Sequence, residues 1–165
     1  MAIYQTTDLD YLISDLRIHL GDYTEPYTYE MEFLRHALVM ACKTLMKKWK
    51  NRYSINDSYV VSRNTAISFS EVSPPVIERA DERAFILQAA IIIKGANLTD
   101  TAWNIASWRD DEISYSNLAG GKTMQNMLDR DIEELEELLK KRLFKTKKQT
   151  LGGFKLPRNV AEGYE

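Results

Sequence analysis

Residues 76–95 read VIERADERAFILQAAIIIKG, and the second half, Ala84 to Ile93, is apolar apart from Gln88. A helix that is apolar on nearly all sides is one buried on nearly all sides. The apolar run is too short for a bilayer, which needs about 20 residues, so the stretch predicts a core helix with other elements packed around it. Ser73, Pro74 and Pro75 stand before it, where a Ser cap and first-turn prolines belong. Glu78, Asp81 and Glu82 fill its early turns, where carboxylates suit the positive end of the helix dipole. Gly95 is the expected end, unless Ala96, Asn97 and Leu98 prolong it. Ile91 to Ile93 are β-branched and fit a strand taken alone, but the helical approach from Pro75 favours the helix.

On the N-terminal side two amphipathic helices are expected to cover this core. Leu9, Leu12, Ile13, Leu16 and Leu20 recur at spacings of three and four, which predicts a helix over Asp8 to Leu20 with Thr6 or Thr7 as cap. Gly21 follows where a left-handed C-terminal residue belongs. His19 is four residues after Asp15, so a surface pair between them is the simplest reading. A second helix is expected from about Tyr29 to Asn51, its stripe set by Met31, Leu34, Leu38, Ala41 and Leu45 and widened by Phe33, Ala37 and Val39. Cys42 lies within that stripe and reads as a small buried hydrophobe. Lys43, Lys47, Lys48, Lys50 and Arg52 gather near the end of this helix around Trp49. The dipole favours cations there, and contact with nucleic acid through base stacking is the functional alternative.

Residues 53–73 change character to Tyr, Val, Ser, Thr, Ile and Phe, with short extended segments expected at 59–61 and 66–69 around a turn at Arg63 and Asn64. So long a connection is often functional, and it reads as an arm or partner loop. After the core helix, Asn97 to Asp100 reads as a break. Trp103 to Trp108 and Glu112 to Leu118 then flank the polar turn Arg109-Asp110-Asp111 as a candidate β-hairpin. A last helix is expected from Thr123 to about Phe144, with Met124, Met127, Leu128, Ile132, Leu135, Leu138, Leu139 and Leu143 as its apolar stripe. Its carboxylates at 129, 131, 133, 134, 136 and 137 read as a solvated face. Residues 146–165 lack periodicity and read as a flexible docking tail marked by Phe154, Lys155 and Leu156. The fold class expected is mainly α: a bundle of about four helices around a central apolar helix, with a β-hairpin and an extended arm and tail.

Several chemistries are argued against by spacing. Ala119-Gly120-Gly121-Lys122-Thr123 sits in the setting of a phosphate-binding loop, but Ser116 occupies the position of the first required glycine. No hydrophobic strand ending in Asp follows to hold magnesium, so the segment reads as a flexible turn opening the last helix. Glu32 and His36 are four apart, not the Glu-x-x-His of carboxylate-bridged metal helices. With two histidines and one cysteine on helical faces, no catalytic residue, metal ligand, nucleotide-binding residue or cofactor is assigned.

Charge is uneven along the chain. Residues 140–165 hold eight Lys/Arg against Glu162 and Glu165, a balance of +6; with a total of −2, the preceding residues carry −8. An acidic body with a basic end points to a partner. A lone cysteine excludes an internal disulfide and fits a reducing compartment, and neither a signal peptide nor a membrane span is expected.

Asp15-Leu16-Arg17-Ile18-His19-Leu20-Gly21-Asp22 closing a first helix resembles the start of the head–tail connector proteins of tailed bacteriophages, also called adaptor or head-completion proteins. The second helix, the apolar third helix and the segment from Trp103 to Asn117 are also similar, so the resemblance covers roughly residues 7–145. It implies a non-enzymatic virion protein, assembled in the host cytoplasm, that forms a homo-oligomeric ring, dodecameric by resemblance. The ring would sit at the head–tail junction between the portal protein and the next tail-side connector or tail-completion protein. Genome DNA would pass through its channel without specific binding, helped by an acidic body that repels phosphates. Closing a ring takes two different faces per subunit, for which the hairpin and the 53–73 loop are candidates. Trp108, Arg109, Asp110, Asp111, Phe154, Lys155 and Leu156 are the expected partner contacts. The alternative from another class is a small helical nucleic-acid-binding protein using residues 43–52 and the basic tail.

Overall fold

Every residue from Ala84 to Ala90 is buried, and the helix that carries them, α3, runs Arg79–Ser107 with α1, α2 and α4 packed around it. The computed structural model describes the backbone of residues 6–49, 51–107 and 114–151, and the side chains of 6–49, 51–99 and 122–141. A short 3₁₀ turn, Asp10–Leu12, leads into α1, Ile13–Leu20. α2 spans Met31–Lys48, strands β1 (Tyr53–Ile55) and β2 (Val61–Arg63) follow, and α4 spans Ser114–Leu151. The architecture is mainly helical, as the periodicity predicts, with one small antiparallel hairpin among the described residues.

The apolar stripes of α1 and α2 are buried where they were expected. Leu9, Leu12, Ile13 and Leu16 join Leu34, Leu38, Ala41 and Leu45 in one core with Phe85, Leu87 and Ile93 of α3. Cys42 is inside, and burial pushes its thiol up to about 11, so it behaves as an inert small hydrophobe. Met31 and Phe33 depart from expectation and stand exposed. α4 closes the other side of α3 through Leu135 and Leu139.

The strand pair lies earlier in the chain than predicted. Tyr53 faces Arg63, Ser54 faces Ser62 and Ile55 faces Val61, with the turn at residues 56–60 and not at Arg63-Asn64. Asn56 accepts from Val60 N at 2.9 Å through Oδ1, and Tyr59 takes a positive φ of 60° in the turn. Asp8 Oδ2 accepts from Val61 N at 2.9 Å, tying the hairpin to the start of the chain.

The expected hairpin over residues 103–118 is not formed. Residues 103–107 belong to α3 and 114–118 to α4; 108–113 lie outside the described residues. Tyr115 between Ser114 and Ser116 is too short an alternation to fix a period of two, and aromatic strand preference depends on context. Once a helix exists, each added residue brings one hydrogen bond, so the break expected at Asn97 to Asp100 and the turn expected at Ala119 to Thr123 are both helical. Gly120 and Gly121 weaken α4 by only about 0.5–1 kcal/mol each relative to alanine. The helix also runs to Leu151, past the expected boundary at 145, so residues 146–151 of the predicted flexible tail are helical. Pro74 and Pro75 precede α3 and are not in its first turn.

Candidate interaction surface

The motif Asp15 to Asp22 gives three of its residues separate structural tasks at the junction of α1 and α2. Gly21 ends α1 with φ 76°, the left-handed conformation that glycine adopts without penalty. That reversal brings Asp22 under Arg17, whose Nη1 donates to Asp22 Oδ2 at 2.5 Å. Asp22 also accepts from Thr28 N at 2.6 Å and Tyr29 N at 3.3 Å, so one carboxylate gathers both ends of the connection. Burial opposes the charge on Asp22, but these backbone donors and Arg17 outweigh it and hold its pKa below the usual value. Arg17 Nη2 reaches Tyr29 O at 3.0 Å, and its guanidinium lies 4.1 Å from the centre of the Tyr27 ring.

This scaffold presents apolar side chains to solvent. Ile18 and Tyr23 are 63% and 65% exposed, and Tyr27, Met31 and Phe33 are also exposed. Phe33 stacks on Tyr29 at 5.7 Å, and Tyr29 is fixed to the core helix by Asn97 Nδ2 at 2.6 Å. Aromatic and methionine side chains grouped on a pre-organised surface are the composition of a protein interface. Helical period alone places Met31 and Phe33 in the core. The informative signal was the density of Tyr around Pro26, in a connection too short to bury them.

Behind this shoulder lies a buried ionic cluster. Asp131 of α4 is fully buried; its Oδ2 meets Lys94 Nζ at 2.6 Å and His19 Nε2 at 3.1 Å. Burial raises the Asp131 pKa, yet Lys94 and His19 together pull it below the usual value. The expected His19–Asp15 pair is replaced by this one, and the expected solvated run of carboxylates gives up Asp131 to the interior. Its spacing carried the signal: position 131 is three after Leu128 and four before Leu135, on the apolar stripe itself. On the other side of the imidazole, Arg83 Nη1 lies 3.3 Å from Nδ1 and the same guanidinium holds Glu134 at 2.8 and 3.0 Å. The charged Asp131 carboxylate can only accept, so Nε2–H faces it, and Nδ1 is left to accept from Arg83, which can only donate.

At the start of α3, Arg52 and Trp49 are consumed by the fold. Trp49 is buried against Tyr53 and Phe85, and Arg52 bonds Asp81 Oδ2 at 2.8 Å and Glu78. The stacking platform of the nucleic-acid alternative is therefore closed at Trp49, while Lys43 and Lys47 stay exposed. Arg63 donates to the carbonyls of Glu71, Pro75 (2.6 Å) and Val76 (2.5 Å), which folds residues 64–78 back on the hairpin. Much of the expected partner loop is thus held against its own chain, although Val60 and Val72 remain exposed. Trp108, Arg109, Asp110, Asp111, Phe154, Lys155 and Leu156 lie outside the described residues.

Among the described residues no cluster of three or more His, Cys, Asp or Glu is placed to hold a metal ion, and no helix is long and apolar enough to cross a membrane. No family model, curated protein or solved structure matches the chain.

Proposed function

We propose that this chain is a non-enzymatic connector that forms a homo-oligomeric ring beneath a bacteriophage portal, completes the head and continues the DNA channel toward the tail. The observation that carries this reading is the α1–α2 shoulder. One of the segments that carry the resemblance, Asp15 to Asp22, ties the connection that bears the exposed Tyr23 and Tyr27, next to the exposed Phe33 of α2. A component that docks between two others needs such a pre-ordered apolar face, since ordering it on contact would cost affinity. The acidic balance ahead of residue 140 suits a wall past which DNA slides.

The test is co-sedimentation of the full chain with portal rings from the same genome, with free duplex DNA as a parallel arm. Stoichiometric binding to the portal and none to DNA is expected. Paired substitution Tyr23→Ser and Phe33→Ser, with the circular dichroism melt unchanged, should reduce portal binding at least tenfold. Retention of DNA alone, falling steeply with salt, would assign the exposed lysines of α2 to nucleic acid and overturn the connector reading.

A further inference from the structure

The outer faces of α2 and α4 complement each other in charge. On α2, Phe33, His36, Met40, Lys43 and Lys47 follow one another at spacings of three and four, and all five are exposed. They form one stripe opposite the side packed on α3. No Asp or Glu occurs from Phe33 to Lys48, so the stripe is basic without internal compensation. On α4, Asp129, Ile132, Glu133 and Glu136 stand at positions i, i+3, i+4 and i+7 and are all exposed, forming an acidic stripe. Among the described residues it is paired with Lys140, 3.4 Å from Glu136, in a pair whose members are both largely exposed. Such a pair exchanges readily for another partner. Lys43 and Lys47 are separated by the same one-turn step as Asp129 and Glu133, so two facing helices can pair both at once.

α2 and α4 both pack on α3, which leaves these stripes as two different faces of one subunit. Two unlike, complementary faces on the same chain define a heterologous contact, the kind that repeats head to tail and closes into rings. We infer that the basic stripe of α2 docks on the acidic stripe of α4 of a second copy. Met40 and Ile132 supply apolar contact, and Lys43 and Lys47 face Asp129, Glu133 and Glu136, while Phe33, at the N-terminal end of the stripe, stays with the shoulder. This rests on the ring reading proposed above and names the surfaces that make the ring.

Charge reversal in trans tests it. One variant carries Lys43→Glu and Lys47→Glu; a second carries Glu133→Lys and Glu136→Lys; a third carries all four. The full-length chains are followed by sedimentation velocity across a concentration series at low salt, alone and with portal rings, after their folding is checked by circular dichroism. The wild type should associate, and the first two variants should each lose at least tenfold in association. Their equimolar mixture should recover it, since each then offers the face the other lacks. The fourfold variant should associate with itself but not with the wild type. Since recovery in the mixture and in the fourfold variant requires folded protein, a misfolded single variant cannot mimic the pattern. Variants that assemble on the portal as the wild type does, without any change in association, would overturn the α2–α4 contact and leave the connector reading standing. A wild type that neither associates nor binds portal would overturn both. Loss of duplex DNA retention in the first variant, with association unchanged, would give the α2 stripe to nucleic acid and overturn the inference.

Discussion

Glu78 and Asp131 are both carboxylates with almost no exposure, and both are held charged against the penalty of burial, but they organise different distances of chain. Glu78 works locally. Its Oε1 accepts from Ser70 N, from Ser70 Oγ at 2.8 Å and from Glu71 N at 3.1 Å, while Oε2 meets Arg52. Its own N–H donates to Tyr53 OH at 3.0 Å, and Tyr53 OH donates to Asp81 at 2.6 Å. The result is a loop folded onto the start of α3. Asp131 works at long range, joining α1, α3 and α4 through two cationic or hydrogen-bonding side chains and no backbone donor. A carboxylate that gathers backbone N–H groups fixes a loop; one that gathers side chains fixes the relative placement of helices.

The largest effect should follow from Glu78→Ala. It removes the acceptor of two part-buried backbone donors, Ser70 N and Glu71 N, and one of the two carboxylate partners of Arg52, which keeps Asp81; breaking a buried pair on one side costs about 3–5 kcal/mol. Equilibrium denaturation should report the loss, and amide exchange should rise in residues 64–78 before it rises in α2. Uniform acceleration across the chain would mean that Glu78 supports the core and not the loop.

Asp131→Leu should cost somewhat less, on the order of 2–4 kcal/mol, because Lys94 has an aliphatic stem and can withdraw part of its charge toward water. Here the contrast can be sharpened by adding Lys94→Met. Replacing both members of a buried pair by apolar residues is often neutral, so the double variant should recover most of the loss. The same rescue should fail at Glu78, where Arg52→Met leaves Ser70 N and Glu71 N unpaired. Acid should separate the two as well. Both carboxyls have folded pKa values below their unfolded ones. Their contribution is therefore present above the unfolded value, about 4 for carboxylates, and is lost as pH falls through the folded value. Stability measured by urea titration should drop below about pH 4, and the drop should be shallower in the Asp131→Leu, Lys94→Met double variant.

The comparison also marks what the residues disclosed in advance. α3 was legible because burial on all sides leaves an apolar run with no polar face, and the stripes of α1 and α2 were legible for the same reason of period. Polar residues on those stripes were the neglected signal. Asp131 and Lys94 fall at positions where the pattern asks for apolar side chains, and their pairing partner is set by helix packing, which no local spacing encodes. The hairpin is misplaced because Tyr, Ile and Ser alternate in both candidate segments. Only β1 and β2 lie beside the end of α2, where Tyr53 packs on Trp49 and Phe85. The shoulder is half-legible: the motif stands in the sequence, while the outward direction of Met31 and Phe33 depends on how α1 and α2 meet.

The smallest effect belongs to Arg83, where the long-range cluster reaches solvent. Arg83 and Glu134 are 44% and 41% exposed at their side chains, so hydration screens the pair and its loss should cost less than about 1 kcal/mol. The hydrogen-bond helps to hold Glu134 below and Arg83 above their usual pKa values, yet a shift at so exposed a site changes stability little. Arg83→Ala should barely move the thermal midpoint, and nitrogen chemical shifts of His19 should still report the tautomer with hydrogen on Nε2. That hydrogen is fixed by Asp131, which is buried, and not by Arg83, which is not. A switch to the Nδ1–H form in the variant would show that the exposed arginine, and not the buried carboxylate, sets the orientation of the imidazole. Asp131 would then join α3 and α4 through Lys94, and lose its bond to α1.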